Sequence, residues 1–316
     1  MAKEIVDGII EIDTLLGGWE HLTAGFVIAG DAPVLIETGS QSSLDSLLDG
    51  LRSIGIGPDD LAGVAVTHIH LDHAGAVGDV ARAFPNATVY VHPNGARHLV
   101  DPSRLVNSAA MVYGDLLDSL YGRLEPTESS RIKVLDDHEK IAISSNRHLE
   151  ALDSPGHAKH HLGFFDSSTG VIFSGDAVGV LIPELGVLRP ATPPPDFDLD
   201  LVLSSMDKFA AYNPTAIAMA HYGLFTNPEE LLAKGKDVVN SWAHVAEKAF
   251  NEDRDIQEAL EEAFRSETDS LDPVLVERFD TLNGMHSNAN GFRRWLEIRK
   301  QQGDHSHSHS HSHTHG

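Results

Sequence analysis

Thr67-His68-Ile69-His70-Leu71-Asp72-His73-Ala74-Gly75 concentrates three imidazoles and a carboxylate between positions 68 and 73, a density that asks for a metal ion. The stretch follows Gly63-Val64-Ala65-Val66, a short apolar, β-branched run that predicts a buried strand. His68 and His70 then lie at or just past the strand end on one face, because alternate residues of an extended chain point the same way. Asp72 and His73 turn toward the small-residue run Ala74-Gly75-Ala76-Val77-Gly78, read as a helix start. Neutral imidazole and carboxylate suit Zn²⁺ and other borderline divalent ions, and a chain without cysteine cannot build the usual thiolate zinc sites. A His-rich surface turn would account for this stretch alone. Further candidate ligands recur downstream, however, and complete a site.

Those downstream segments are Ser154-Pro155-Gly156-His157, Phe173-Ser174-Gly175-Asp176 and Ala220-His221-Tyr222-Gly223. Together with Thr-His-x-His-x-Asp-His-x-Gly at 67–75, and in this order, they resemble the motif series of the metallo-β-lactamase superfamily. Val34-Leu35-Ile36-Glu37-Thr38-Gly39 resembles a further strand-end motif of that family, which more often carries Asp where this chain has Glu37. The resemblance covers roughly residues 5 to 225, and several ordered motifs are far more specific than one.

The resemblance implies an α/β fold, a four-layer αββα sandwich with the site at one edge. It also implies that His68, His70 and His157 hold one ion, that Asp72, His73 and His221 hold a second, and that Asp176 bridges them. Two ions need about seven or eight protein ligands, which this inventory matches. Zinc is the first expectation for both metals, with iron and manganese as alternatives. Metal binding lowers the pKa of water toward ~7, so the expected chemistry is attack by a bridging hydroxide on an ester-type bond: thioester, lactone or phosphoester. Asp72 and Asp176 are the expected catalytic carboxylates. Glyoxalase II is one model, although the Lys and Tyr pattern by which it grips glutathione is missing after Asp176; lactonases are another. The alternatives are a mononuclear iron enzyme like persulfide dioxygenase, using only the first ligand group, and a non-enzymatic metal buffer. Glu37 is read either as orienting a ligand imidazole or as an ordinary strand-end carboxylate, and Tyr222 chiefly as a packing aromatic. His160 and His161 are read as supporting or buried residues, and His21, His92, His98, His138, His148, His244 and His286 as structural or surface ones.

The remaining chain agrees with an enzyme of this size. Its 316 residues can bury a large core. No apolar run is long enough for a bilayer and the N-terminus has no signal-peptide character, so a cytoplasmic protein is expected. The formal charge of −24 opposes attraction to nucleic acid or anionic membrane, leaving a small-molecule substrate, with homo-oligomerisation open. Strand candidates are Ile5–Asp13 broken by one Gly, 25–29, 34–36, 88–92, 132–135, 149–152, 162–165, 171–173 and 216–219, with a helix from Ser42. Residues 103–124 carry an apolar stripe at helical spacing, read as a helix on the core and alternatively as a wall for substrate. The segment 177–197 holds Pro183, Pro190 and Pro193-Pro194-Pro195 and is read as a long ordered loop. Residues 1–227 form the expected catalytic domain, 228–302 a helical C-terminal region ending near Lys300, and 303–316 a disordered tail with six of the 20 histidines.

Overall fold

Strands with two apolar faces must be covered on both sides, and the sequence supplies helices for each. The computed structural model describes residues 2–309. Strands β1 (Ala2–Val6), β2 (Ile9–Asp13), β3 (Ala24–Ile28), β4 (Val34–Ile36), β5 (Gly63–Ala65), β6 (Thr88–Val91) and β7 (Ile132–Val134) form a seven-stranded sheet in chain order. The first four pair antiparallel; β4 to β7 run parallel. The parallel connections carry α1 (Leu44–Ser53), α2 (Leu71–Ala74), α3 (Val77–Ala83), α4 (Pro93–Val100) and α5 (Ser103–Tyr113).

Strands β8 (Lys140–Ala142), β9 (His148–Asp153), β10 (Leu162–Asp166) and β11 (Val171–Phe173) begin the second half. They are followed by the hairpin β12 (Val180–Ile182) and β13 (Val187–Arg189), then by β14 (Ala216–Met219) and β15 (Gly223–Phe225). The second sheet has six strands in the order β15-β14-β11-β10-β9-β8, and the β12–β13 hairpin stands apart. Helices α6 (Leu199–Ala211), α7 (Pro228–Asn251), α8 (Ile256–Phe264), α9 (Pro273–Asn283) and α10 (Met285–His309) complete the chain.

The period-2 alternation of side chains sorts these strands into layers. Phe26, Val34 and Ile36 of the first sheet meet Ala151, Phe164 and Phe173 of the second in one buried core, with the Phe26 and Phe173 rings 5.2 Å apart. Val27, Leu35 and Val64 face the other way, onto Leu47, Leu51 and Val80 of α1 and α3. Leu152, Ile172 and Ile217 face outward from the second sheet onto Phe209, Trp242, Phe292 and Trp295 of α6, α7 and α10. The result is the expected four-layer αββα sandwich with a helical C-terminal region.

Four segments differ from expectation. The Ile5–Asp13 run is two strands paired as a hairpin, because Gly8 adopts φ +66° and turns the chain. The 177–197 segment is not wholly irregular: it contains β12 and β13, since Pro183 sits in the turn and the other prolines follow β13, so none removes a ladder donor. The 103–124 stripe is not one helix. It breaks at Gly114 (φ +54°), and a π-helical turn, Leu117–Tyr121, buries Leu117, Leu120 and Tyr121. Finally, α10 runs on to His309, past the end expected near Lys300, and residues 310–316 of the tail lie outside the described residues. No helix among the described residues is long and apolar enough to cross a membrane.

Candidate metal centre

Every candidate ligand lies just beyond the C-terminal end of a strand or on the short helix that follows one. His68 and His70 follow β5, Asp72 and His73 lie on α2, His157 follows β9, Asp176 follows β11 and His221 follows β14. Because β5 belongs to one sheet and β9, β11 and β14 to the other, the cluster sits on the seam between sheets. Backbone bonds fix that seam: Leu162 donates to the Thr67 carbonyl (2.7 Å) and Ala24 to that of Ala220 (2.9 Å). Gly175 (φ +47°) allows the closest approach, since a Cβ there would lie 2.6 Å from both His161 Nε2 and Thr67 Oγ1.

All seven predicted residues converge, in three groups whose ligand atoms lie within 4.8 Å of one another: His68, His70, His157; His68, His73, Asp176; and Asp72, His73, His221. His70 Nδ1 is 3.0 Å from both His68 Nε2 and His157 Nε2. His73 Nε2 and His221 Nε2 also meet at 3.0 Å. Asp176 reaches both sides: one oxygen is 3.4 Å from His157 Nε2, the other 3.2 Å from His73 Nε2 and 3.5 Å from His221 Nε2. Asp72 Oδ2 is 3.4 Å from His221 Nε2.

This donor set fits a divalent cation. Tetrahedral ligands with metal–nitrogen bonds near 2.0–2.1 Å stand about 3.3 Å apart, close to the spacings here. One Asp176 oxygen, Oδ1, is buried with no hydrogen-bond partner, which a cation would satisfy. The outward ring nitrogens are held as metal-binding histidines require: His157 Nδ1 donates to the Ala191 carbonyl (2.9 Å) and His221 Nδ1 to that of Leu22 (2.7 Å), turning each Nε2 inward. His73 Nδ1 lies 3.3 Å from Glu37 Oε1, and Thr67 gives its hydroxyl to the same carboxylate. Glu37 is thus turned toward a ligand imidazole, from a backbone position at φ +64°.

The cluster's electrostatics follow from burial among carboxylates. Burial and His157 push His70 down to about 4, so it presents a free lone pair. For His73 burial opposes charge, yet Asp176, Asp72 and Glu37 outweigh it and raise its pKa well above the ordinary value. The carboxylates therefore attract positive charge to this side, whether proton or cation. His161 is buried beneath: its Nε2 accepts from the Asp176 backbone N–H (3.2 Å) and its Nδ1 faces Ser154 Oγ at 2.8 Å.

Other expectations resolve by placement. Burial and the neighbouring Glu11 charge raise Tyr222, which is buried and packs in the core between the sheets, as expected of a packing aromatic. His160 stacks beside His68, and burial together with His70 lowers it to about 3. Tyr121, part of the apolar stripe read from sequence, and Tyr113, which that reading did not name, pair their rings at 4.6 Å; burial and the Asp72 charge raise both hydroxyls. The 103–124 segment therefore borders the centre. His21, His92, His98, His138, His148, His244 and His286 take no part in these groups.

The family model described as the metallo-beta-lactamase superfamily matches residues 17–221. The chain belongs to that superfamily. Its members are mostly metal-dependent hydrolases. The metallo-beta-lactamase fold-containing protein ST1585 of Sulfurisphaera tokodaii is 28% identical over 206 residues, 63% of this chain and 72% of its own length. Its crystal structure superposes with a TM-score of 0.68 at 22% identity, covering 90% of this chain and 98% of that one. A probable metallo-hydrolase, YqgX of Bacillus subtilis, is 24% identical over 167 residues, 51% of this chain and 71% of its own. The superfamily protein TTHA1429 of Thermus thermophilus reaches a TM-score of 0.66 at 17% identity, covering 94% and 95% of the two chains. At such identities the structural likenesses establish the fold alone.

Proposed function

We propose that this chain is a dinuclear metal-dependent hydrolase of an ester-type bond (thioester, lactone or phosphoester) in a small molecule, with zinc the first candidate for both ions. One observation carries the reading: two complete ligand groups are spanned by Asp176, whose carboxylate faces His157 on one side and His73 and His221 on the other. His68, His70 and His157 are the proposed ligands of the first ion, Asp72, His73 and His221 of the second, with Asp176 shared. A bound pair supplies an acidified water and a Lewis acid for the electrophile.

The protein's own residues do the rest. The Ala191 and Leu22 carbonyls hold two imidazoles in orientation and the Glu37 carboxylate stands 3.3 Å from a third, so little reorganisation is needed. Asp72, whose side chain is 17% exposed, marks the open side of an otherwise buried cluster. The Asp72 charge acts on Tyr113 and Tyr121, which the π-helical turn brings together, and the same segment leaves Met111 and Leu116 82% and 59% exposed. This wall favours a substrate with an apolar portion over a highly charged one.

The first test is elemental analysis of the whole chain beside a version ending at residue 302. The shortened protein should hold about two equivalents of divalent metal and hydrolyse at least one member of a panel of thioesters, lactones, β-lactams and phosphoesters with Zn²⁺, Mn²⁺ or Fe²⁺. One equivalent of iron with oxygen uptake would replace this reading by the dioxygenase one. Metal held only by the longer chain, without hydrolysis, would replace it by metal buffering.

A further inference from the structure

The strongest unexplained feature is a run of buried polar contacts between the C-terminal helices and residues 189–192. Asn288 on α10, 1% exposed, accepts from the Thr192 backbone N–H and hydroxyl, both at 2.8 Å. Its amide donates to Asn283 Oδ1 (2.6 Å), and Asn283 in turn donates to the Pro190 carbonyl (3.1 Å). Arg189 pairs with Asp280 on α9 and lies over the Phe279 ring at 4.2 Å. The α10 backbone is pressed against the same strand of chain, since a Cβ on Gly291 would lie 1.7 Å from the Thr192 carbonyl oxygen.

Packing alone does not call for this. Burying three amide-bearing and cationic side chains costs free energy unless each is satisfied, and an apolar seam would close the gap more simply. What the network fixes is Ala191, the residue between the two anchored carbonyl and amide groups. Ala191 presents the carbonyl that accepts from His157 Nδ1 at 2.9 Å. That bond sets which nitrogen of His157 carries the proton and where its Nε2 points.

We propose that Asn288 is a positioning residue for the metal centre: through Thr192 and Asn283 it holds the Ala191 carbonyl, and through it His157, so the helical C-terminal region tunes the affinity of the His68–His70–His157 group. The claim rests on the metal reading above and adds to it a role for a residue 131 positions from the ligand it governs. Only the first ion is affected. His73 and His221 take their outward contacts from Glu37 and Leu22, which the network does not touch.

The test uses the full chain, so that the His-rich tail is common to every variant and cancels from comparisons. Zn²⁺ affinities come from competition with a chromophoric chelator, and Co²⁺ visible spectra report ligand geometry. In Asn288→Ala one of two body equivalents should bind roughly tenfold more weakly, with a changed Co²⁺ spectrum, while the other keeps its affinity. Thr192→Val, which removes only the hydroxyl contacts, should show a smaller change of the same kind, and it decides the matter if Asn288→Ala does not fold. Leu296→Ala, in the same helix but outside the hydrogen-bond network to residues 189–192, should lower the melting temperature without moving either affinity. Unchanged affinities and spectrum in the folded Asn288→Ala and Thr192→Val proteins would overturn the proposal while leaving the metal reading intact. Equal weakening in Leu296→Ala would overturn it too, by showing general loosening. A wild-type body that takes up no metal would instead remove the reading beneath it.

Discussion

Asp176 places a single carboxylate between imidazoles of both ligand groups. Its oxygens lie 3.2 to 3.5 Å from His73, His157 and His221. Asp176→Ala should accordingly release both ions together and abolish hydrolysis. His221→Ala should release mainly the second ion and leave some hydrolysis, because His68, His70 and His157 remain. Metal analysis and circular dichroism on each variant check this; a folded Asp176→Ala protein that keeps two metals and most of its activity would sink the shared-carboxylate assignment. The 67–75 stretch was legible from its own density of imidazole and carboxylate, whereas His157, Asp176 and His221 were assigned because their segments resemble, in order, the motif series of the superfamily. Their supports were not legible. The carbonyls of Ala191 and Leu22 carry no side-chain signal, and the contact between Asn288 and Thr192 joins positions that nothing local relates.

At the scale of elements, the β12–β13 hairpin shows where pattern reading stops. Its strands have three residues each, too short for a periodicity to stand out from a proline-rich background. The layer assignment of the longer strands was readable, by contrast, because both faces are apolar and helices alternate with them. The hairpin tip is tied down by Glu184, which hydrogen-bonds His21 and thereby raises the imidazole above its usual range, with the charges of Asp13 and Glu20 adding to the effect. A folded pKa above the unfolded value means the contribution is fully present below about pH 6.5 and fades as pH rises through the raised value. The pair is largely exposed, so solvent screening limits it to about 0.2–1 kcal/mol. Wild type should therefore exceed Glu184→Gln in stability at pH 6, with the gap closing by pH 9. Equal urea midpoints at pH 6, or a gap that widened with pH, would refute the assignment. An NMR titration of His21 gives the same answer at one residue.

At the scale of the molecule, the helical region after residue 227 reads in sequence as an appendage that covers a face of the sandwich, and Trp242, Phe292 and Trp295 indeed share one buried core with Leu152, Ile172 and Ile217 of the second sheet. Sequence showed the amphipathic helices but not which sheet they cover, because a helix's apolar stripe says only that something lies against it. The seam location of the candidate ligands has a further outcome. His68 and His70 hang from one sheet, and His157, Asp176 and His221 from the other, so an ion bound among them is a reversible cross-link between the two halves of the sandwich. Any unfolding route that parts the sheets must first break it. A ligand that binds only the native state adds about 4 kcal/mol at a thousandfold excess over its Kd. Stripping the protein with a chelator should consequently speed unfolding in urea several-hundred-fold or more and lower the melting temperature, and identical unfolding rates with and without metal would contradict it. The lifetime of the folded chain would then be governed by the free-cation level around it, as a lock is by its key, and proteolytic turnover would rise wherever that level falls.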